Sequence, residues 1–362
     1  MIDLSPLVRK ELLAEDLWRP DWTKSANRSS QALWLDKNEN PDPILNNIIM
    51  EIYRSVDAEA IYGYPDLSDL YVKLAEFIGV STTNLLLSHG SDGVIRSMFE
   101  AFISVGDKIL ITSPTFIMYE IYGKLYGADV YKVEYSASPK GPVLEINTLV
   151  NAIKRYRPKL LCLPNPDSPT GTVFYESDLE SIISTCADNN VLVLIDEAYH
   201  PFCQVTALPW IEKYSNLVIA RTFAKAWGLA GLRIGYAVGG KDIIHYLHKV
   251  RPMYEINSVA ASVVASMLDH EDKVMDSVER LKKGMNRFLD EMRGMGFGVV
   301  EGAGNFAHVM FGDELEMIDK KLNDKILYKK HFDHPSLAGC SRFSYATQTQ
   351  IDKILELIKC RK

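Results

Sequence analysis

Between about residues 80 and 240 the chain alternates short apolar runs with longer stretches whose apolar positions recur at a helical period. The runs lie at 85–88, 108–112, 129–134, 160–163, 191–195, 217–220 and 234–238, and each is bounded by Gly, Pro, Asp or Asn. Their lengths predict seven strands. Between most of them the pattern predicts helices; one covers 175–189 and opens on a Ser177-x-x-Glu180 capping box. Such alternation predicts an α/β fold with a mostly parallel seven-stranded sheet sandwiched by helices.

Beyond Gly240 the pattern changes. Long helices are predicted at 242–270 and 273–295, strands at 305–311 and 341–345, and a closing helix at 350–359. These read as a smaller C-terminal α+β domain. Residues 3–17 have the pattern of a short helix, and the first 40 residues read as an arm packed on another domain or subunit. The expected organisation is an N-terminal arm at 1–42, a large domain at 43–250 and a small domain at 251–362.

Composition narrows the class. Hydrophobic residues make up 47% and charged residues 24% of the 362, which is globular usage. The net charge of −7 argues against a nucleic-acid partner, whose phosphates need a basic surplus. Five cysteines without a CxxC pair predict neither a disulfide framework nor a metal site, and favour a reducing compartment. Charges interrupt the N-terminal segment and no run of about 18 apolar residues occurs, so neither a leader nor a membrane span is expected and a cytoplasmic location is.

In doubly wound sheets ligands bind beyond the carboxyl ends of the strands. The run at 85–88 leads into His89-Gly90-Ser91-Asp92-Gly93, a turn that offers backbone N–H groups to an anion at a helix start. The run at 108–112 leads to Phe116, and that at 160–163 into Asn165-Pro166-Asp167-Ser168-Pro169-Thr170-Gly171. The run at 191–195 leads into Asp196-Glu197-Ala198-Tyr199, and that at 217–220 into Arg221-Thr222-Phe223-Ala224-Lys225. One cleft would then hold an anion cradle, an aromatic plate, a carboxylate, a phenol and a lysine. A lysine amine bonds an aldehyde, a carboxylate keeps a pyridine nitrogen protonated, and hydroxyls, amides and an arginine hold a phosphate. Pyridoxal 5'-phosphate carries all three groups. By contrast, Gly235–Gly240 followed by Lys241-Asp242 only approaches a P-loop: Asp242 stands where a Mg²⁺-binding hydroxyl belongs.

With Leu35-Asp36-Lys37-Asn38-Glu39-Asn40-Pro41, Tyr64-Pro65-Asp66, Gly228-Leu229-Ala230-Gly231-Leu232-Arg233 and Arg342-Phe343-Ser344 in the same order, the sequence resembles the fold-type I pyridoxal-phosphate aminotransferases, within them the histidinol-phosphate aminotransferase group. The resemblance runs over nearly the whole chain. It implies that Lys225 bonds the cofactor and later carries the proton, that Asp196 pairs with the ring nitrogen, and that Tyr199 and Ser168 reach the ring hydroxyl. It implies further that Phe116 stacks on the ring and that Ser91, Asp92, Thr222 and Arg233 hold the phosphate. Tyr64 would serve the neighbouring subunit of a homodimer with shared sites, and Arg342 would bind a substrate carboxylate or phosphate, with Lys329 as a second anion contact. Four positions depart from the family pattern: Ser168 replaces an asparagine, Ala224 a small hydroxyl residue, Gly93 an acidic residue and Lys329 an arginine. The implied reaction moves an amino group between an amino-acid donor and a phosphorylated keto acceptor. The alternative is a decarboxylase of serine or threonine phosphate, which differs in the Cα bond set perpendicular to the ring. A non-catalytic cofactor sensor would need a DNA-binding module for which the N-terminal segment has no room.

Overall fold

The computed structural model describes residues 4–15, 17, 28, 29 and 31–360. All seven predicted strands form: β1 (Leu85–Ser88), β2 (Lys108–Ser113), β3 (Asp129–Glu134), β4 (Leu160–Pro164), β5 (Leu192–Asp196), β6 (Leu217–Thr222) and β7 (Gly235–Gly239). They make one sheet in the order β1-β7-β6-β5-β4-β2-β3. Only β7 runs antiparallel to its neighbours, β1 and β6. The central strands are buried on both faces, which is why they read as unbroken apolar runs. Strand β6 extends past the predicted end because Arg221 and Thr222 continue the ladder opposite Tyr236 and Gly235. That extension carries two polar side chains to the rim of the sheet.

A second, antiparallel sheet follows, from β8 (Gly298–Glu301), β9 (Phe306–Met310) and β10 (Ser341–Ser344). The pattern gave no sign of β8, a four-residue strand. The long helix Glu271–Gly294 and the closing helix Gln348–Lys359 form as expected, the latter opening two residues early on a Thr347–Gln350 capping box.

Three local readings are corrected. The helix expected over 242–270 is two helices, Lys241–Val250 and Ser258–Met267. Pro252 lacks an N–H and biases Arg251 to its extended conformation (φ −66°, ψ 143°), and the chain restarts at Asn257, whose side chain caps Ala260 N–H. The helix Glu176–Asp188 is not opened by a capping box at Ser177, since Tyr175 is the N-cap and Ser177 already lies in the first turn. In place of one helix over 3–17 there are the short 3₁₀ turns Ser5–Leu7 and Lys10–Leu13; Asp3 and Asp16 lie outside the described residues.

The segment before residue 43 matters for the site. Leu33–Trp34 pairs in parallel with Ile326–Leu327. Buried Asp42 takes both Nε and Nη2 of Arg280, at 3.0 and 2.6 Å, and Asn40 donates to the Ala226 carbonyl at 2.8 Å. These contacts clamp residues 35–42 between the two sheets, over the carboxyl ends of β4, β5 and β6.

Candidate active site

A cavity of about 390 Å³ opens there, and ten of the twelve candidate residues line it. They are Ser91, Asp92, Phe116, Ser168, Asp196, Tyr199, Thr222, Lys225, Arg233 and Arg342. They converge because parallel strands present their carboxyl ends to the same side. Tyr64 and Lys329 are not brought into it. Tyr64 is 81% exposed and stacks on Tyr254 with centroids 4.4 Å apart. Lys329 is exposed but paired through its backbone with Arg342, and both cationic groups lie within 6 Å of the Phe332 ring.

Lys225 donates to the Lys37 carbonyl at 2.7 Å. Burial, reinforced by Arg342, lowers its pKa from 10.5 to about 8. Asp196, at the end of β5, accepts from the Tyr119 hydroxyl at 2.9 Å and from Ala198 N–H at 3.1 Å. Burial raises its pKa to about 6 against the pull of those two donors. Tyr199 accepts from Asn38 Nδ2 at 2.9 Å, and its phenol pKa is raised by burial, with Arg342, Ser168 and Asn38 acting against the rise. Beneath the site, Glu197 and Arg221 form a buried ion pair at 2.9 Å, completed by the Thr206 hydroxyl and Ala207 N–H.

At one end of the cavity is the anion cradle. Ser91 and Asp92 lie in the first turn of the helix Gly90–Phe102, whose leading N–H groups have no helical acceptor. Gly90 holds φ +72°, and a Cβ there would come 3.2 Å from Arg233 Nη2 and 3.5 Å from Thr222 Oγ1. Backbone, hydroxyl and guanidinium thus surround one small space. At the other end Arg342 donates through Nη2 to the Asp36 carbonyl at 2.8 Å, while its Nε is buried without a protein partner. A buried guanidinium N–H with no protein acceptor suits an anionic ligand.

Several residues of the site were given no role by the sequence. Asn38 adopts φ 60° and is bolted by Ser344 and Asn305. Buried Asp167 accepts from Thr112 and Thr115, both at 3.0 Å, and Thr170 at 3.1 Å, so it ties the Ser168 loop to the Phe116 loop; burial raises its pKa to about 7. Tyr119 is the third. The motif around Asn38 was visible, but its geometric task was not. Among the described residues no group of His, Cys, Asp and Glu could hold a metal ion, and no helix is long and apolar enough to cross a membrane.

Comparison with known proteins adds the lineage. The family model Aminotransferase class I and II matches residues 30–358. The histidinol-phosphate aminotransferase of Thermoanaerobacter pseudethanolicus is 32% identical over 328 residues, covering 90% of this chain and 92% of the relative. Histidinol-phosphate aminotransferase 1 of Carboxydothermus hydrogenoformans is 32% identical over 330 residues, with the same coverage. Among solved structures, the histidinol-phosphate aminotransferase of Sinorhizobium meliloti in complex with pyridoxal-5'-phosphate superposes with a TM-score of 0.78 at 22% identity, covering 90% of each chain. The aspartate aminotransferase of Thermus thermophilus with maleate gives 0.73 at 20%, covering 90% of this chain and 91% of that one. At these identities the two structures speak for the fold.

Proposed function

Because this chain belongs to the class I and II aminotransferase family, we propose that it moves an amino group between an amino-acid donor and a phosphorylated keto acceptor, with pyridoxal 5'-phosphate as resident cofactor. The observation that carries this reading is one cavity holding a lysine with a lowered pKa, a buried carboxylate, an anion cradle and an arginine with an unused N–H. The parts fit the cofactor's groups: Gly90, Thr222 and Arg233 surround a space for its phosphate, Asp196 suits its ring nitrogen, Tyr199 and Ser168 its ring hydroxyl, and Phe116 its face. When bound, the cofactor supplies an aldehyde and an electron-poor ring that accepts the electron pair released at Cα.

The chain's own groups do the rest. Lys225 Nζ takes the Cα proton and returns it on the other side of the exchange. Asp196 keeps a negative charge against the ring nitrogen. Arg342 orients the substrate by its carboxylate, which sets the Cα–H bond toward Lys225. The shorter Ser168 hydroxyl takes the place of an amide side chain beside Tyr199. Lys329, backbone-paired with Arg342, would meet a second anionic group as a point charge.

Treating the cofactor-loaded protein with glutamate tests the reading. The carbonyl-form absorbance should give way to that of the amine form, and a phosphorylated ketone should restore it. Release of CO₂ from serine or threonine phosphate without that shift would point to the decarboxylase. Arg342→Ala should retain cofactor absorbance and lower kcat/KM roughly 10²-fold or more, the scale of two charge-assisted hydrogen bonds. Lost cofactor absorbance with unchanged substrate affinity would make Arg342 a scaffold residue.

A homodimer in the cytoplasm fits the chain. Ile61, Tyr62, Tyr64 and Met253 are each at least three-quarters exposed and apolar, as a surface covered by a second copy would be; the cysteines are free. Tyr64 of the partner subunit would then complete the phosphate site. Mixing Lys225→Ala with Tyr64→Phe subunits should therefore restore part of the activity lost in each, since a heterodimer has one intact site. No recovery despite verified subunit exchange would exclude sharing.

A further inference from the structure

We propose that Glu255 is a positioning residue of the anion cradle: it holds the His89–Gly90 turn from outside the cavity, and the proposal rests on the cofactor reading above. The cradle poses a physical problem. A helix N-terminus is usually fixed by a Ser, Thr, Asp or Asn at the N-cap, whose side chain accepts an N–H of the first turn. Here the N-cap is His89, and its side chain makes no cap hydrogen bond. The first-turn N–H groups are therefore left for a ligand, but the turn loses its usual brace. Gly90, at φ +72°, allows the close approach of Arg233 and Thr222 and adds no stiffness of its own.

Glu255 supplies the brace. It lies between the helices Lys241–Val250 and Ser258–Met267, far along the chain, and is only 7% exposed. Its Oε1 is 3.5 Å from His89 Nδ1, and its Oε2 is buried without a protein partner. Burial raises its pKa, with the His89 backbone, Arg251 and Arg96 acting against the rise. In a capping box an acid within the first turn reaches back to the N-cap residue; Glu255 reaches the same residue, His89, from another segment.

Gly93 faces the Glu255 carboxylate across the first turn. A Cβ there would come 3.1 Å from Ser88 Cβ and 3.5 Å from Glu255 Oε1. The carboxylate therefore packs on the first turn at van der Waals distance from where a side chain at 93 would start, and the tighter contact there is with Ser88. An acid thus reaches this turn from position 255 and not from the turn itself.

The test uses the ligand-free full chain and two probes, pyridoxal 5'-phosphate and pyridoxal, which differ only in the phosphate, titrated by absorbance. Glu255→Ala should weaken pyridoxal 5'-phosphate roughly tenfold, the size of one lost cap, and leave pyridoxal within about twofold. Glu255→Gln, which keeps the side-chain length and a carbonyl oxygen toward His89, should retain most of the affinity. Adding Gly93→Glu to Glu255→Ala should recover part of it. Should Glu255→Ala not fold, Glu255→Asp, which withdraws the carboxylate by one methylene, should show the same selective loss. Equal weakening of both probes, or unchanged affinity for the phosphorylated one, overturns the role of Glu255. If the wild-type protein itself binds both probes equally, the cofactor reading fails, and the two failures are told apart by that control.

Discussion

Replacing Lys225 by alanine is expected to lower amino transfer by about 10⁴-fold or more, because one amine serves both as nucleophile toward the cofactor and as proton carrier. The fold should survive, since Lys225 makes a single hydrogen bond, to the Lys37 carbonyl at the cavity wall. The lysine is suited to the task by its surroundings. With a pKa of about 8, about a tenth of the amine is neutral at pH 7, against about one part in 3,000 at the ordinary 10.5. In the ligand-free protein the rate of reaction with pyridoxal 5'-phosphate should therefore climb as pH rises through about 8, as the amine loses its proton. Arg342→Ala removes a neighbouring positive charge and should move that midpoint upward. Turnover of Lys225→Ala within about tenfold of wild type would show that another group carries the proton.

Asp196→Ala is the second large effect: the variant should fold and bind the cofactor, yet turn over about 10³-fold more slowly. A buried, preorganised negative charge opposite the ring nitrogen stabilises the charge that drives chemistry at Cα, and alanine offers none. The carboxyl of the ligand-free protein has its pKa raised to about 6 by burial. Below that pH it is protonated and cannot meet a protonated ring nitrogen. The rate of cofactor reaction, already falling below about pH 8 as Lys225 gains its proton, should therefore fall more steeply below about 6 in the wild type but not in Asp196→Ala. Tyr119→Phe removes one of the two donors that hold the pKa down. Its acid limb should lie at higher pH than that of the wild type, with the fold intact. An unmoved limb would mean that Tyr119 merely packs, and near-normal turnover of Asp196→Ala would mean that a different acid faces the ring.

These effects were legible because a parallel sheet translates chain order into spatial convergence. Each apolar run of β1, β2, β4, β5 and β6 ends on the same side, so reading the residues after each run was enough to gather Ser91, Phe116, Ser168, Asp196, Thr222 and Lys225. Arg342 is different. It sits in the other sheet and was found only through the resemblance. What stayed hidden depends on contacts between distant segments: Tyr119 meets Asp196 across 77 residues, and Asn38 meets Tyr199 across 161. No local pattern marks a tyrosine whose hydroxyl finds a buried carboxylate after folding. The break between Lys241–Val250 and Ser258–Met267 was written in Pro252 but hidden by strong flanking helical periodicity. That break frees the segment that delivers Glu255 to the cradle.

The central claim is that the cavity over β4, β5 and β6 is the cofactor site and Lys225 its attachment point. Borohydride reduction of the loaded protein, followed by peptide mapping, tests it most directly. Reduction should place a pyridoxyl group on Lys225 at about one per chain, and the label should be lost in Lys225→Ala. A label on any other lysine, or one that persists in Lys225→Ala, would contradict it.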